Sequence, residues 1–349
     1  MTRIGEVGMA APIFADDSPR RARIVRRVRG ITLESAGFVL VTVLFPVLLV
    51  IAALVDLALW IASRKPWMAT RLLAVLWWFL FTEMRAYAVL LWLTVRNRGD
   101  TEARRKGVYE LRIRWCRRHL GMMRTVLGLS FEIEGLDRVG PAPVNILVRH
   151  ASIIDNMLPD AVAASAHGIG LRYVIKRELQ MIPLIDIAGR WVPTIFVRRA
   201  SGDPAAEITV LRTLTEDIGA GEGFLVYPEG TRFTEKKLAR AKEVIAERQP
   251  ELAERANRFE HLLPPRLGGT LALLEETPDL DVVVCGHVGF DGFQYISNIW
   301  AGGLVGTTIR VRFERFAAET IPGDAQGRTD WLYERWLELD RWIGEQTTR

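Results

Sequence analysis

Residues 37–55 read GFVLVTVLFPVLLVIAALV, nineteen positions without a charge. As a helix this run reaches about 28 Å, close to the thickness of a bilayer's hydrocarbon core. Arg20, Arg21, Arg23, Arg26, Arg27 and Arg29 lead into it. It is too long for the apolar part of a removable signal peptide, and no small-residue cleavage site follows. A second apolar stretch, 72–95, is interrupted by Glu83 and Arg85, and Pro66 sits in the link between the two. The pattern predicts an N-terminal helical hairpin embedded in a membrane. Two full crossings would put Arg64, Lys65 and Arg71 outside, against the positive-inside tendency. A hairpin dipping into the cytoplasmic leaflet removes that conflict and brings six of the eleven tryptophans, Trp60 to Trp115, near the interface that indole prefers. Spanning and re-entrant arrangements both stay open at this point.

Charge separates along the chain. Residues 1–130 hold 21 Lys/Arg against 9 Asp/Glu, and residues 131–349 hold 25 against 32. The basic half is therefore also the apolar half, which points to an anionic membrane surface rather than to nucleic acid. Residues 101–125 are polar, basic and helical in spacing, as expected of a helix lying on lipid headgroups. Only Cys116 and Cys285 are present, with no CxxC spacing, so neither a disulfide framework nor a zinc cluster is expected.

From about Ser130 short apolar runs alternate with amphipathic stretches. FEIEGL, VNILV, LRYVI, TIFVRR, GFLVYP and DVVVCGHV read as strands. Helices are expected from about Ser152, over 205–219, 236–258 and 267–276, and at the C-terminus, where Leu332, Trp336, Leu339 and Ile343 form a stripe that packs on the core. The alternation predicts an α/β fold with a largely parallel central sheet flanked by helices, preceded by the membrane-embedded hairpin.

Two motifs carry chemistry. VRHASIID places His150 five residues before Asp155. On a regular helix this separation leaves the two side chains roughly 140° apart; at a strand-to-helix turn it can bring them together. GFLVYPEGTRF puts Glu229, Gly230, Thr231 and Arg232 directly after a strand, where α/β folds gather ligands. Glycine admits a ligand close to the backbone, and arginine offers a planar fork for phosphate. Glu229 would repel a phosphate, so it is expected to hold Arg232 or the loop amides. Arg198 and Arg199 end another strand candidate. GAGEGF at 219–224 precedes a strand and is poor evidence for a dinucleotide site. Structural or surface roles are expected for His119, His167, His261 and His287.

Taken together, His-x4-Asp, a strand ending in arginine and then Glu-Gly-Thr-Arg resemble the glycerolipid acyltransferases, the family of 1-acylglycerol-3-phosphate acyltransferases. YPEGTRFTEKKLARAKE, LLPPRLGG and DWLYERWLELDRW look like its lysocardiolipin and lysophosphatidylinositol acyltransferase branch. LRYVIKRELQMIPLI matches the family as well, with Lys176 and Glu178 at family positions. The resemblance covers roughly residues 130–345. Arg149 replaces the asparagine common before the histidine, and VVVCGHV, with His287, replaces a block that usually contains proline.

The resemblance implies four segments: a basic N-terminal segment (1–30), a membrane-associated hairpin (31–100), a basic interfacial helix (101–129) and an acyltransferase catalytic domain (130–349). It implies His150 as general base and Asp155 as the carboxylate that orients it. Glu229, Gly230, Thr231 and Arg232 would form the acceptor-phosphate site, assisted by Arg199, Arg198 and Lys176, with Ser152 or a turn amide as oxyanion donor. No metal or resident cofactor is implied; acyl-CoA or acyl carrier protein would serve as co-substrate. The partners are a phospholipid bilayer and a lysophospholipid acceptor, and no nucleic acid. The expected location is the cell membrane, with the catalytic domain on the cytoplasmic face. Rival readings are a CoA-independent transacylase and a catalytically silent membrane-tethered binding protein. Acceptor headgroup and acyl length are left open.

Overall fold

The computed structural model describes residues 18–197, 212–293 and 296–347. Its body is a seven-stranded sheet in the order β1-β7-β6-β2-β5-β3-β4. The strands are β1 Ser130–Glu134, β2 Val144–Val148, β3 Gly170–Lys176, β4 Thr194–Val197, β5 Glu222–Val226, β6 Asp281–Val288 and β7 Thr308–Phe316. β2 to β6 run parallel, while β7 lies antiparallel to β6 and carries β1 alongside it. The six expected strands are all present; β7 is additional.

Both sheet faces are covered, which explains why VNILV is buried throughout instead of alternating, its one polar side chain, Asn145, donating to Thr277 Oγ1 at 2.9 Å. Ile146 and Val148 point into a core shared with Leu120, Met123 and Leu127 of a preceding helix. Leu147 points the opposite way, toward Phe259, Leu332 and Trp336. The C-terminal helix Ala325–Thr347 supplies the last two, so its apolar stripe packs on the core as its spacing predicts.

Two expected helices depart from regularity. The stretch 236–258 is a helix at Glu235–Arg248, a 3-10 turn at Pro250–Leu252 and a short helix at Ala253–Asn257. Pro250 breaks it, because proline lacks the donor that a continuing helix needs. The segment after Ser152 is a 3-10 turn, Ile154–Met157, followed by a π turn, Asp160–Ala164. Asp160 is buried there and accepts from Arg112 at 3.1 Å and Tyr173 at 2.5 Å, which ties the preceding helix to β3. Of the helix expected over 205–219, residues 212–215 are helical and 205–211 lie outside the described residues.

Three long helices precede the sheet: α1 Arg20–Ser63, α2 Met68–Arg96 and α3 Thr101–Leu127. Residues 1–17 of the basic N-terminal segment lie outside the described residues. Both α1 and α2 are long and apolar enough to cross a membrane. Asp56 of α1, buried, caps the start of α2 through the amides of Ala69 and Thr70 at 2.8 and 2.9 Å. The hairpin touches the α/β body at both ends. At one, Arg26 and Arg27 grip the buried carboxylate of Asp186, at 3.0 and 2.9 Å, and Gly30 sits against Pro183. At the other, Pro66 lies against Gly302 and Met68 enters the sheet's core. The hairpin therefore lies lengthwise along the body, with the apolar residues of α1 facing outward.

Removing one partner of a buried pair leaves the other charge uncompensated, at a cost of about 3–5 kcal/mol; partial exposure of both arginines lowers this. Asp186→Asn should therefore weaken docking of the first turns of α1 by about 2 kcal/mol. Hydrogen exchange over residues 20–35 checks this: faster exchange there, with exchange in β2 and β6 unchanged, is the expected result.

Candidate active site

β2 ends at the middle of the sheet and delivers His150 at its C-terminal edge. The chain then curls immediately. Ser152 Oγ accepts the amides of Ile154 and Asp155, both at 3.2 Å, which holds the 3-10 turn. Asp155, fully buried, accepts the amides of Ala151 and Ser152 on Oδ2 at 2.6 and 2.7 Å. This tight loop folds the carboxylate back onto the imidazole, whose Nδ1 lies 3.2 Å from Oδ1 and 3.3 Å from Oδ2. The five-residue spacing works because the turn is not α-helical. With Nδ1–H donated to the carboxylate, Nε2 is left as the basic nitrogen. The ring packs on Tyr227, 4.6 Å between centroids. The amides of residues 151 and 152 are thus committed to Asp155, while Ser152 Oγ serves the turn as an acceptor.

The Glu-Gly-Thr-Arg loop is fastened to this turn. Glu229 is buried, and its Oε1 accepts the His150 amide at 2.7 Å while Oε2 accepts the Leu263 amide at 3.1 Å. Of the two roles considered for Glu229, it holds loop amides, not Arg232. Burial pushes its carboxyl up to about 8 despite those two bonds. The Phe233 amide returns to the His150 carbonyl at 2.8 Å. His150 is therefore held by this loop through both its N–H and its C=O, and Arg232 stands next to the second contact.

Gly230 adopts φ +63°, and the side chain of Arg266 lies where a Cβ would be. Lys237 Nζ donates to Thr231 Oγ at 3.0 Å and to the Arg232 carbonyl at 2.8 Å. Lys237 and Arg266 thus join Arg232 around the loop. Neither was singled out in the sequence, although both lie in the stretches that resemble the acyltransferases. Lys176 ends β3, two strands from β2 on the same sheet edge, roughly 10 Å away by strand spacing. Arg198 and Arg199 lie outside the described residues.

The two departures from the family pattern meet each other. Arg149 donates to the His287 carbonyl at 2.5 Å and to Asp291 at 3.2 Å. His287 Nε2 lies 3.1 Å from the Arg149 carbonyl and 3.7 Å from Asp155 Oδ2, directly behind the His150–Asp155 pair. Burial pushes His287 down to about 4, against the pull of Asp155, so it is neutral near pH 7. Cys285, two residues earlier on the same face, is buried with its thiol pushed up by burial and by Asp155, which makes it a poor nucleophile. Among the described residues no group of three or more His, Cys, Asp or Glu is arranged to hold a metal ion.

Residues 130–249 match the sequence model of the family described as Acyltransferase. This segment is an acyltransferase-family domain. Among known proteins, the chain is 30% identical to the 1-acyl-sn-glycerol-3-phosphate acyltransferase gamma of Mus musculus over 210 residues, 59% of this chain and 54% of that one. It is 23% identical to lysocardiolipin acyltransferase 1 of Danio rerio over 65% of this chain and 58% of that one. A Pseudomonas aeruginosa 1-acyl-sn-glycerol-3-phosphate acyltransferase is 29% identical over 34% of this chain and 44% of that one. The chain spans about half the length of these curated relatives. Its fold is shared with the 1-acyl-sn-glycerophosphate (LPA) acyltransferase PlsC from Thermotoga maritima, at TM-score 0.52 and 16% identity, covering 81% of this chain and 99% of that one. The acyltransferase domain therefore contains the histidine–aspartate turn and the Glu-Gly-Thr-Arg loop in one bonded unit.

Since the folded-state pKa of His287 lies below its ordinary 6.5, its burial contributes stability that is complete above about pH 6.5 and lost as pH falls through about 4. His287→Gln keeps an N–H for the Arg149 carbonyl and cannot titrate. The fall in melting temperature between pH 7 and pH 4.5 should be smaller in this variant than in the parent chain; an equal fall would assign the acid sensitivity elsewhere.

Proposed function

We propose that this chain transfers a fatty acyl group from a thioester, acyl-CoA or acyl carrier protein, to a hydroxyl of 1-acylglycerol-3-phosphate or another lysophospholipid. The reaction would belong to phospholipid biosynthesis or remodelling. One observation carries this reading: a histidine with its Nδ1 on a buried carboxylate is bonded, through its own backbone, to a loop surrounded by Arg232, Lys237 and Arg266.

In this mechanism His150 Nε2 takes the hydroxyl proton as the oxygen attacks the thioester carbonyl carbon. Asp155 fixes the tautomer and stabilises the imidazolium that forms. The tetrahedral intermediate collapses with cleavage of the carbon–sulfur bond, and the thiolate takes the proton back from the imidazolium. A thiol of pKa near 8.5 leaves readily, so a strong acid is not needed. Arg232, Lys237 and Arg266 would hold the acceptor's phosphate, with Lys176 and the Arg198–Arg199 pair as further candidates. No resident cofactor enters the scheme.

Acceptor and product are amphiphiles, and the apolar outer face of α1 would seat the enzyme among them. Because the hairpin meets the body at both ends, we favour its lying in one leaflet over two full crossings, on the cytoplasmic face of the cell membrane.

His150→Ala should lower transfer from acyl-CoA to lysophosphatidic acid by about 10²–10⁴-fold, with the melting temperature retained. Activity within a few-fold of the parent would remove the general base. Arg232→Ala and Arg266→Ala should mainly raise the KM for a phosphorylated acceptor and leave kcat near its starting value. Product formed with both acyl-CoA and acyl carrier protein omitted would instead indicate transacylation between lipids.

A further inference from the structure

α2 and α3 pack antiparallel: Leu93 closes on Gly107, Glu83 bonds Trp115 at 2.8 Å, and Thr82 lies 3.0 Å from His119. Between them, on the side away from the sheet, runs a groove with a volume of about 500 Å³. It contains none of the residues assigned to the active site. Its lining has two characters. Val89, Trp92 and Leu111 make an apolar wall, and Arg85, Arg114 and Arg118 stand along the rim.

The arginines are poorly neutralised. Arg114 has a single exposed contact with Glu110, at 3.3 Å. Arg118 faces Arg85 and Arg114, and its guanidinium is held below its ordinary value first by burial and then by those two like charges. Among the described residues Glu110 is the one acid lining the groove with these three guanidinium groups, which leaves an excess of positive charge that attracts an anion, and their planar forks suit phosphate oxygens. Trp92 of the apolar wall is 54% exposed, and its neighbours on α2, Leu91 and Val95, are 67% and 65% exposed. An occupant of this groove must carry a phosphate at one end and a hydrocarbon tail at the other.

We propose that the α2–α3 groove binds one anionic phospholipid of the bilayer, its phosphate on Arg85, Arg114 and Arg118 and its acyl chain along Val89 and Trp92. The site is separate from the acyl-transfer centre. It rests on the membrane seating proposed above and not on the catalytic assignment. Its effect would be to anchor the interfacial helix α3, and with it β3, to an anionic leaflet.

The test compares two charge-matched pairs of substitutions in the full chain. Arg114→Gln/Arg118→Gln removes two rim charges. Arg117→Gln/Arg124→Gln removes two exposed charges of the same helix that do not line the groove. Val89→Trp fills the groove without changing charge. Native mass spectrometry in detergent is run with phosphatidylglycerol or phosphatidylcholine added, alongside binding to vesicles of phosphatidylcholine with and without phosphatidylglycerol.

The parent chain should retain one phosphatidylglycerol in preference to phosphatidylcholine. The rim pair and Val89→Trp should lose that retention, and the rim pair should bind phosphatidylglycerol vesicles at least about tenfold less tightly than the control pair. Acyl transfer to a soluble short-chain acceptor should stay within about twofold in the rim pair, so loss of the lipid site and loss of catalysis are read separately. Equal losses in the two arginine pairs would overturn the proposal by reducing it to surface electrostatics. Undiminished retention in the rim pair or in Val89→Trp, or equal retention of both lipids by the parent chain, would overturn it as well.

Discussion

The buried carboxyl group of Glu229 organises the site. It lies between the turn that leaves β2 and the connection between the helices Ala253–Asn257 and Leu267–Glu276, and accepts one backbone amide from each, at His150 and at Leu263. A buried amide without a partner costs about 1–3 kcal/mol, so the carboxyl both satisfies two donors and fixes the distance between the loops. With the Phe233 amide closing on the His150 carbonyl, the histidine turn is tied at two points to the Glu-Gly-Thr-Arg loop. Each feature described around it, from the Asp155 turn to the Arg266 side chain over Gly230, presupposes this bridge.

The hairpin is subject to a different constraint. Two apolar helices would ordinarily be free to stand away from a globular domain, joined only by a linker. Here the arginine grip on Asp186 and the contact of Pro66 with Gly302 fix both ends. The helix–helix interface is crossed by aromatic contacts such as Phe45 with Trp77, 5.9 Å between centroids, and by the bond from Trp77 to Thr42 at 3.1 Å. The apolar hairpin and the α/β body are therefore one packed object.

Much of this was readable in the sequence, and the exceptions have physical causes. The strands buried on both faces were plain because the sheet is covered on both sides, which makes β2 and β6 mostly apolar runs without alternation. β7 was harder: TIRVRFERF alternates Ile309, Val311 and Phe313 with charged residues, and its inward face emerges only beside β6. The turn after His150 was expected to be a helix. Asp155 instead draws the amides of residues 151 and 152 inward, and no propensity scale contains that bond. Lys237 and Arg266 were hidden because loops meet in space without leaving a period in the chain. His287 had the buried, structural role expected of an isolated histidine, yet its position behind Asp155 could not be read from a strand pattern. The placement of Glu-Gly-Thr-Arg at a strand end, by contrast, was legible, since a glycine after an apolar run marks where the backbone must turn.

The double tie between the backbone of residue 150 and the loop 229–233 bears on how such domains can be recombined. Segments 79 positions apart in sequence behave as one exchangeable block. A chimaera that imports the Glu-Gly-Thr-Arg loop from a relative, but keeps the native histidine turn, joins a donor and an acceptor shaped for different neighbours. Grafts that carry both stretches, together with the residue supplying the Leu263 amide, preserve the mutual geometry that either piece alone would lose.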